Sequence, residues 1–274
     1  MNKTFKRTLL ASLVVPFALG AQSASADLIT DWGYEVNSSF SNWTATGGDG
    51  SITASDGDRV LSWGVGSGPQ SSIGITDVNE ASGLETNEGF VNGGVFSHTN
   101  NPLPRRGLAL NTFDLTSTLT LTPFAPSGSS LLPVSRTFMS FFSETTNEDG
   151  SCVIGSGSVC DDIFTVGNID ALNATETDTG FEFASPSFTI DDFTYTVFTE
   201  LAGLTSLGAD ACTAAGATAG CVGLLTEENA VNTFDTRFRI TATPVSVPEP
   251  GTLALLGLGL AGLGLSRRKK AAKA

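Results

Sequence analysis

Apolar and hydroxyl-bearing residues alternate along several segments of this 274-residue chain, and this alternation constrains the fold more than any other feature. Residues 115–122 read LTSTLTLT, and the same period of two recurs in 137–143, in much of 181–199 and in 236–243. Successive side chains of a β-strand point to opposite faces, so this pattern predicts antiparallel strands with one buried face.

Turn-forming residues separate these segments, as GGDG at 47–50, DGD at 56–58, NGG at 92–94 and EDG at 148–150. No convincing amphipathic helix is present, and 18 Phe and 3 Trp provide material for one core. Many short strands between turns predict an all-β domain over residues 27–246, a β-sandwich or jelly roll. Within it, the small-residue segment 201–225 is expected to be a surface excursion.

Charged residues are distributed unevenly along the chain. All five lysines lie within the first six or the last six residues. Residues 27–246 carry 27 acidic residues against six arginines, which gives this part a net charge of −21. Such a surface repels phosphate backbones, so we expect no nucleic-acid partner.

The N-terminus has the three parts of a secretory signal. Lys3, Lys6 and Arg7 form a basic start, residues 9–19 are apolar, and Ala24-Ser25-Ala26 offers a small-residue cleavage site. This layout predicts a helical signal peptide over 1–26 that the secretion machinery uses and signal peptidase removes after Ala26.

Four cysteines lie in the part predicted to be exported: Cys152, Cys160, Cys212 and Cys221. An even number in an oxidising compartment favours disulfides, and three pairings are possible. The pairs Cys152–Cys160 and Cys212–Cys221 close short loops and require no assumption about the fold. A zinc site is the alternative, but the sequence has no C-x-x-C spacing and only one histidine.

The C-terminal tail, residues 247–274, contains an apolar run followed at once by four cations: Arg267, Arg268, Lys269 and Lys270. As a helix, the 15 residues of 251–265 would span roughly 22 Å, against about 30 Å for a bilayer core. This segment therefore predicts a short transmembrane helix that holds a precursor in the inner membrane only transiently, with the basic cluster in the cytoplasm.

Pro248, Glu249 and Pro250 precede that apolar run. The motif, the helix and the basic cluster, in this order over 247–270, resemble the PEP-CTERM sorting signal of Gram-negative bacteria. The resemblance implies processing by an exosortase, a membrane-embedded cysteine peptidase, and a setting of exopolysaccharide and biofilm production. Two prolines keep the junction out of helix and open to a protease.

His98 is the only histidine of the chain. A metal ligand or general base is one interpretation, and a hydrogen-bonded structural residue in a turn is the other. The residues Ser97-His98-Thr99-Asn100 resemble the Thr-His-x-Asn motif of the THxN family of PEP-CTERM proteins, with Ser97 in place of the first threonine. Residues 61–64 (LSWG) and 70–72 (QSS) support the resemblance. It implies a structural or binding role for His98 and Asn100, and the family has no established biochemical activity to carry over.

Signals for catalysis or for a cofactor are weak. The sequence has no G-x-S-x-G, a catalytic triad would have to use His98, and 27 acidic residues do not single out a glycosidase pair. We therefore expect neither a catalytic site nor an obligatory metal. Asp49, Asp56 and Asp58, with the acids at 148–149, are weak calcium candidates because they lie in glycine-rich loops, although without EF-hand spacing. The acid pair at 161–162 is expected to be a solvated strand edge.

These features together predict an exported cell-surface or extracellular-matrix protein. A non-catalytic structural or binding component associated with extracellular polysaccharide is the first hypothesis. A secreted hydrolase acting on matrix polysaccharide is the alternative. Exposed aromatic residues such as Trp32 or Trp43 in a shallow groove would favour binding, and a cleft with close carboxylates would favour the enzyme.

Overall fold

The structure is a computed structural model that describes residues 27–104, 107–145, 147, 152, 160–245, 257 and 259. The chain divides into two units, Met1–Ala242 and Thr243–Ala274. The predicted signal peptide, with Ala24 and Ala26, lies outside the described residues. So do the two parts of the predicted sorting signal, Pro248-Glu249-Pro250 and the cluster Arg267, Arg268, Lys269 and Lys270.

The first unit is built almost entirely from strands. Along the chain these are β1 (Asp31–Thr46), β2 (Thr53–Ser55), β3 (Val60–Gly64), β4 (Gln70–Ile75), β5 (Val78–Glu85), β6 (Val91–Asn100), β7 (Ala109–Ala125), β8 (Val134–Ser143), β9 (Asp162–Val166), β10 (Thr175–Glu176), β11 (Gly180–Ala184), β12 (Phe188–Ile190), β13 (Phe193–Ala202), β14 (Thr205–Ser206), β15 (Val222–Thr226) and β16 (Ala230–Pro244). A six-residue helix, α1 (Ala209–Ala214), lies between β14 and β15.

The strands form two sheets. One has seven strands in the order β14-β15-β9-β8-β7-β1-β5. The other has nine strands, in the order β10-β11-β13-β16-β6-β4-β3-β2 with β12 paired to β13. The four segments with period-two alternation lie in β7, β8, β11 to β13 and β16, and the predicted all-β, sandwich-like fold is confirmed.

Aromatic rings from both sheets fill the space between them. Phe40 of the seven-stranded sheet packs edge-on against Phe96 of the other sheet at 6.1 Å, and Phe164 of the seven-stranded sheet stacks on Phe234 of the other at 5.6 Å. All four rings are at most 5% exposed. Burying each of them contributes about 1.5–3 kcal/mol, so the alternating phenylalanines supply the main cohesion between the sheets.

The glycine pair Gly93-Gly94 does not form the predicted turn but lies inside β6. A side chain at Gly93 would meet the ring of Phe238, since a Cβ there would lie 2.1 Å from that ring. Gly94 has φ +119°, and the pairing with β16 shifts register opposite it, between Thr236 and Arg237. The two glycines therefore form a bulge within the strand and allow the ring of Phe238 to approach its backbone. Glycine is common at both kinds of position as well as in turns.

The two local disulfides predicted from the sequence are confirmed, Cys152–Cys160 and Cys212–Cys221. The expectation that 201–225 is a surface excursion is wrong at both ends of the segment. Leu201 lies in β13 and is 2% exposed, and β15 pairs with β9, with Val222 only 3% exposed. The second disulfide thus fastens α1 to the beginning of a sheet strand.

Among the described residues no helix has the length and apolar character needed to cross a bilayer. Gly257 and Gly259, both within the predicted sorting helix, are helical. The rest of that predicted helix lies outside the described residues.

Candidate functional site

Four strand ends meet at one end of the β-sandwich. Asp162 begins β9, and the antiparallel register places it opposite Thr226, the last residue of β15. The same strand β9 pairs with β8, which ends one residue before Glu144. Asn100 ends β6 opposite Ala230, so it lies beside the turn that carries Glu228. Strand register therefore gathers four residues that are far apart in the sequence.

Three carboxyl groups form the centre of this site, those of Glu144, Asp162 and Glu228. One oxygen from each lies within 4.8 Å of the others. Asp162 is fully buried, whereas Glu144 and Glu228 are half-buried. We call this group the acidic cluster.

Each carboxyl of the acidic cluster has one oxygen that accepts a hydrogen bond from a described donor. These bonds run from Thr145 N to Asp162 Oδ1 (2.8 Å), from Trp63 Nε1 to Glu144 Oε2 (3.4 Å) and from Asn147 Nδ2 to Glu228 Oε1 (2.5 Å). The orientation of the Asn147 amide is assigned from its hydrogen bonds, because its Oδ1 also accepts from Leu103 N at 3.2 Å. The donors fix the direction in which each carboxyl points.

The second oxygen of each carboxyl is buried and has no hydrogen-bond partner among the described residues. These atoms are Glu144 Oε1, Asp162 Oδ2 and Glu228 Oε2, and Asn100 Oδ1 shares the same property. A buried polar atom without a partner costs roughly 1–3 kcal/mol, and more if it is charged. Four such atoms at one end of the sandwich make this the candidate functional site.

Burial is the main cause of a raised pKa in all three carboxyl groups. The pKa values of Glu144 and Asp162 lie well above their usual range, and their mutual repulsion raises that of Asp162 further. Burial raises the pKa of Glu228 to about 7, against a smaller opposing effect of the Asn100 amide. Charge at this site is therefore unfavourable unless protons or a cation offset it.

The donor set suits a hard cation. Carboxylate and amide oxygens are the ligands that calcium and magnesium prefer. Within the described part of the chain, arginines pair with Asp56, Asp77, Glu182 and Glu200, and none pairs with the acidic cluster. The cluster can bind a divalent cation or share protons between its carboxyl groups.

His98 lies next to this site, on β6, and its ring is 1% exposed. It stacks on Trp63 at 5.7 Å and contacts the edge of Phe142 at 5.0 Å. Burial lowers its pKa to about 3, so the ring is neutral at physiological pH. Since Trp63 donates to Glu144, the histidine of the predicted motif supports the indole that orients a cluster carboxyl.

The structure gives other roles to Asp49, Asp56 and Asp58, the aspartates that the sequence offered as calcium ligands. Asp56 forms an ion pair with Arg59 at 2.7 Å, which lowers the pKa of Asp56. Asp49 forms a backbone bridge with Gly107, and Asp58 accepts a backbone hydrogen bond from Phe40. Among the described residues, the acidic cluster is the one group of three acidic, His or Cys side chains close enough to share a metal. The expectation that Asp162 is a solvated edge residue is wrong, because it is 0% exposed and its strand β9 lies inside the sheet, between β8 and β15.

The tryptophans proposed as exposed aromatic contacts are not exposed platforms. Trp32 is fully buried and its Nε1 donates to Thr86 Oγ1 at 2.9 Å. Trp43 is half-buried and packs against the core. Trp32 therefore cannot act as an exposed aromatic contact, and Trp43 exposes only part of its side chain.

An apolar crevice of about 450 Å³ opens between β7 and β8 on one sheet and β12, β13 and β16 on the other. Its lining includes Leu119, Leu131, Phe138 and Phe188. It shares no residue with the acidic cluster, and its chemistry suits an apolar ligand rather than a cation.

Comparison with known protein families identifies one segment of the chain. Residues 246–269 match the family model of the PEP-CTERM protein-sorting motif. The tail is an exosortase sorting signal. A PEP-CTERM motif indicates an extracellular protein that is exported as a membrane-anchored precursor and processed at the cell surface by an exosortase, a membrane protein. The chain matches no curated protein.

Proposed function

We propose that the domain over residues 27–246 is a non-catalytic structural or binding component of an extracellular matrix and associates with exopolysaccharide. The observation that carries this proposal is the combination of an exosortase signal with catalytic-type residues that are buried rather than presented to a substrate. The net charge of −21 supports a soluble, hydrated module on the outside of the cell.

The proposed route begins with the signal peptide that ends at Ala26 and continues at the inner membrane of a Gram-negative bacterium. The apolar segment 251–265 holds the precursor there, with the cluster Arg267, Arg268, Lys269 and Lys270 in the cytoplasm. Exosortase acts at Pro248-Glu249-Pro250 and passes the domain to the surface.

Membership of the THxN family is part of the proposal. His98 and Asn100, the two motif residues that the chain retains, both lie at the acidic cluster. Trp63 of the supporting segment LSWG stacks on His98, and Ser71 of the segment QSS exchanges hydrogen bonds of 3.1 Å with the backbone of Asn101. The residues that carry the resemblance therefore lie close together in the fold, as expected for residues that maintain a shared structural site.

The burial of Asp162 and His98 supports a non-catalytic role. An acid or base of a hydrolase must reach the scissile bond, and these side chains are 0% and 1% exposed. His98 has no described serine or carboxylate at its ring nitrogens, so it lacks the partners of a catalytic triad.

A secreted hydrolase acting on matrix polysaccharide is the second candidate. The raised pKa values of the acidic cluster favour it, because glycosidases use one protonated and one ionised carboxyl. A retaining pair is about 5–5.5 Å apart and faces an open cleft. One oxygen of each cluster carboxyl lies within 4.8 Å of the others, but the central residue Asp162 has no exposed surface.

The two candidates are separated by incubating the processed protein with the producer's own exopolysaccharide. A binding component co-sediments with the polymer and releases no reducing ends. The E144Q variant then releases none either. Release of reducing sugar by the wild type that is lost in E144Q would favour the hydrolase.

The sorting route is tested by replacing Pro248, Glu249 and Pro250 with alanine. We expect unprocessed precursor in the membrane fraction, because the junction no longer presents the exosortase motif. P244A, a proline substitution outside the motif, is the matched control and should be processed normally. Normal processing of the triple variant would refute the route.

A further inference from the structure

The four unpartnered oxygens described above converge at the acidic cluster. We propose that Glu144, Asp162 and Glu228 bind one calcium ion, with Asn100 Oδ1 as a fourth protein ligand. Each carboxyl offers one oxygen to the ion while its other oxygen accepts a hydrogen bond from the protein. Metal-binding carboxylates are held in this way by donors that do not touch the metal.

Asn100 points to a ligand independently of the carboxyl groups. Its side chain is fully buried, and its Nδ2 donates to Thr226 O at 3.2 Å. Asn100 Oδ1 is left without a described partner. The Asn100 amide lies close enough to Glu228 for its NH₂ group to lower the pKa of that carboxyl by hydrogen bonding. A cation would give this neutral oxygen a partner, as would the O–H of a neighbouring protonated carboxyl group.

The spacing of the cluster fits calcium. Calcium–oxygen distances of about 2.3–2.6 Å allow two ligands on opposite sides of the ion to be about 4.6–5.2 Å apart. The cluster oxygens lie within 4.8 Å of one another. Magnesium, at about 2.0–2.1 Å, allows only about 4.2 Å and demands a stricter octahedron. Water or a bidentate carboxylate completes the six to eight ligands that calcium takes.

The charge of the site requires a counterion when the carboxyl groups are ionised. Three carboxylates lie together, and no described lysine or arginine forms an ion pair with them. A divalent cation offsets most of their repulsion and replaces the water that burial removes. Protonation of the carboxyl groups is the other way to relieve the repulsion.

A bound ion would join β6, β8, β9 and the β15–β16 turn, because each contributes a ligand. Extracellular calcium modules bind with Kd values of roughly 0.1–1 mM, far above cytosolic calcium. The site therefore fills only after export, a consequence that rests on the sorting signal. Folding of this end of the sandwich would then be completed outside the cell.

The test uses the full chain, stripped with EGTA and titrated with calcium chloride in a calorimeter and in thermal unfolding. We expect one site per chain and a rise in Tm of about 5–10 °C at calcium 100-fold above Kd. Magnesium at the same concentration should give a clearly smaller shift. An equal shift with magnesium would overturn the assignment to calcium.

D162N and E228Q remove cluster charges, whereas D49N/D58N changes two loop aspartates outside the cluster. We expect D162N to abolish the calcium-dependent shift and E228Q to weaken binding at least tenfold, with D49N/D58N unchanged. Without calcium, D162N should unfold at the wild-type Tm or higher, because it removes repulsion, and this separates lost binding from misfolding. Absence of binding by the wild type, or wild-type binding by both D162N and E228Q, would overturn the proposal.

Discussion

The indole Nε1 of Trp63 donates a hydrogen bond to Oε2 of Glu144, and this 3.4 Å contact joins the nine-stranded sheet to the end of β8 in the other sheet. The same indole stacks on His98. One tryptophan thus links the histidine of the predicted motif to the acidic cluster, although neither ring nitrogen of His98 contacts a described polar group.

Replacing this tryptophan tests the link. W63F keeps a ring against His98 and Phe142 but removes the donor to Glu144. Donors to metal ligands typically change affinity by about 10–100-fold, and we expect a loss at the lower end because the bond is long. Calcium titration of the stripped full chain measures it.

W32F provides the matched control, because Trp32 is also fully buried and its Nε1 donates to Thr86 rather than to the cluster. It should cost about 1–2 kcal/mol of stability and leave calcium affinity unchanged. An equal loss of affinity in both variants would show that the effect of W63F is general destabilisation.

Stability without calcium should fall as pH rises. The folded-state pKa values of Glu144, Asp162 and Glu228 are raised above those of an unfolded chain, so the folded state binds protons more tightly. Their stabilising contribution is full below about pH 4 and is lost as pH rises through the raised pKa values, about 7 for Glu228 and higher for the other two. The window of loss therefore extends from weakly acidic into alkaline pH.

Urea unfolding in EGTA at about pH 5 and about pH 8 measures this dependence. The midpoint should be lower at the higher pH, and D162N should reduce the difference. Saturating calcium should reverse the order, because the ion binds the ionised carboxylates. A higher midpoint at the higher pH in EGTA would contradict the expected sign.

The two disulfides should differ in their effect on the site. Each closes a short loop, so C152A/C160A and C212A/C221A should each cost about 2–3 kcal/mol of unfolding free energy. Only the first pair is next to the cluster, where Thr145 Oγ1 donates to Cys160 O at 2.9 Å and Thr145 N to Asp162. Calcium affinity should therefore fall in C152A/C160A alone, and an equal fall in both would contradict this.

A second buried acid stabilises the fold rather than a ligand. Glu200 is 1% exposed, forms an ion pair with Arg237 and accepts hydrogen bonds from Thr177 and Thr179. E200Q leaves a partly buried guanidinium without its counterion and should cost about 2–3 kcal/mol in denaturant unfolding. The more exposed pair Arg239–Glu182 serves as control, and E182Q should cost about 1 kcal/mol.

Prediction from the sequence succeeded where the signal is local. The alternation in 115–122 identified β7, and the short spacing of Cys212 and Cys221 identified their disulfide. It failed at Gly93-Gly94, because glycine is favoured both in turns and in β-bulges. Only the contact with the ring of Phe238, a residue distant in the sequence, shows that this pair lies within a strand. It also failed at Asp162, because β9 becomes an inner strand only by pairing with β15, which is more than 50 positions away in the chain.

The amino-acid sequence by itself determined the strand-rich character, the two disulfides and the exosortase signal, since each is written in adjacent or closely spaced residues. The tertiary structure alone decided which of 27 acidic residues in 27–246 come together. Glu144, Asp162 and Glu228 meet because the registers of β8, β9 and β15 align their ends, and burial there changes their chemistry. Strand register is set by packing between strands that are distant in the sequence, so no local sequence pattern predicts it.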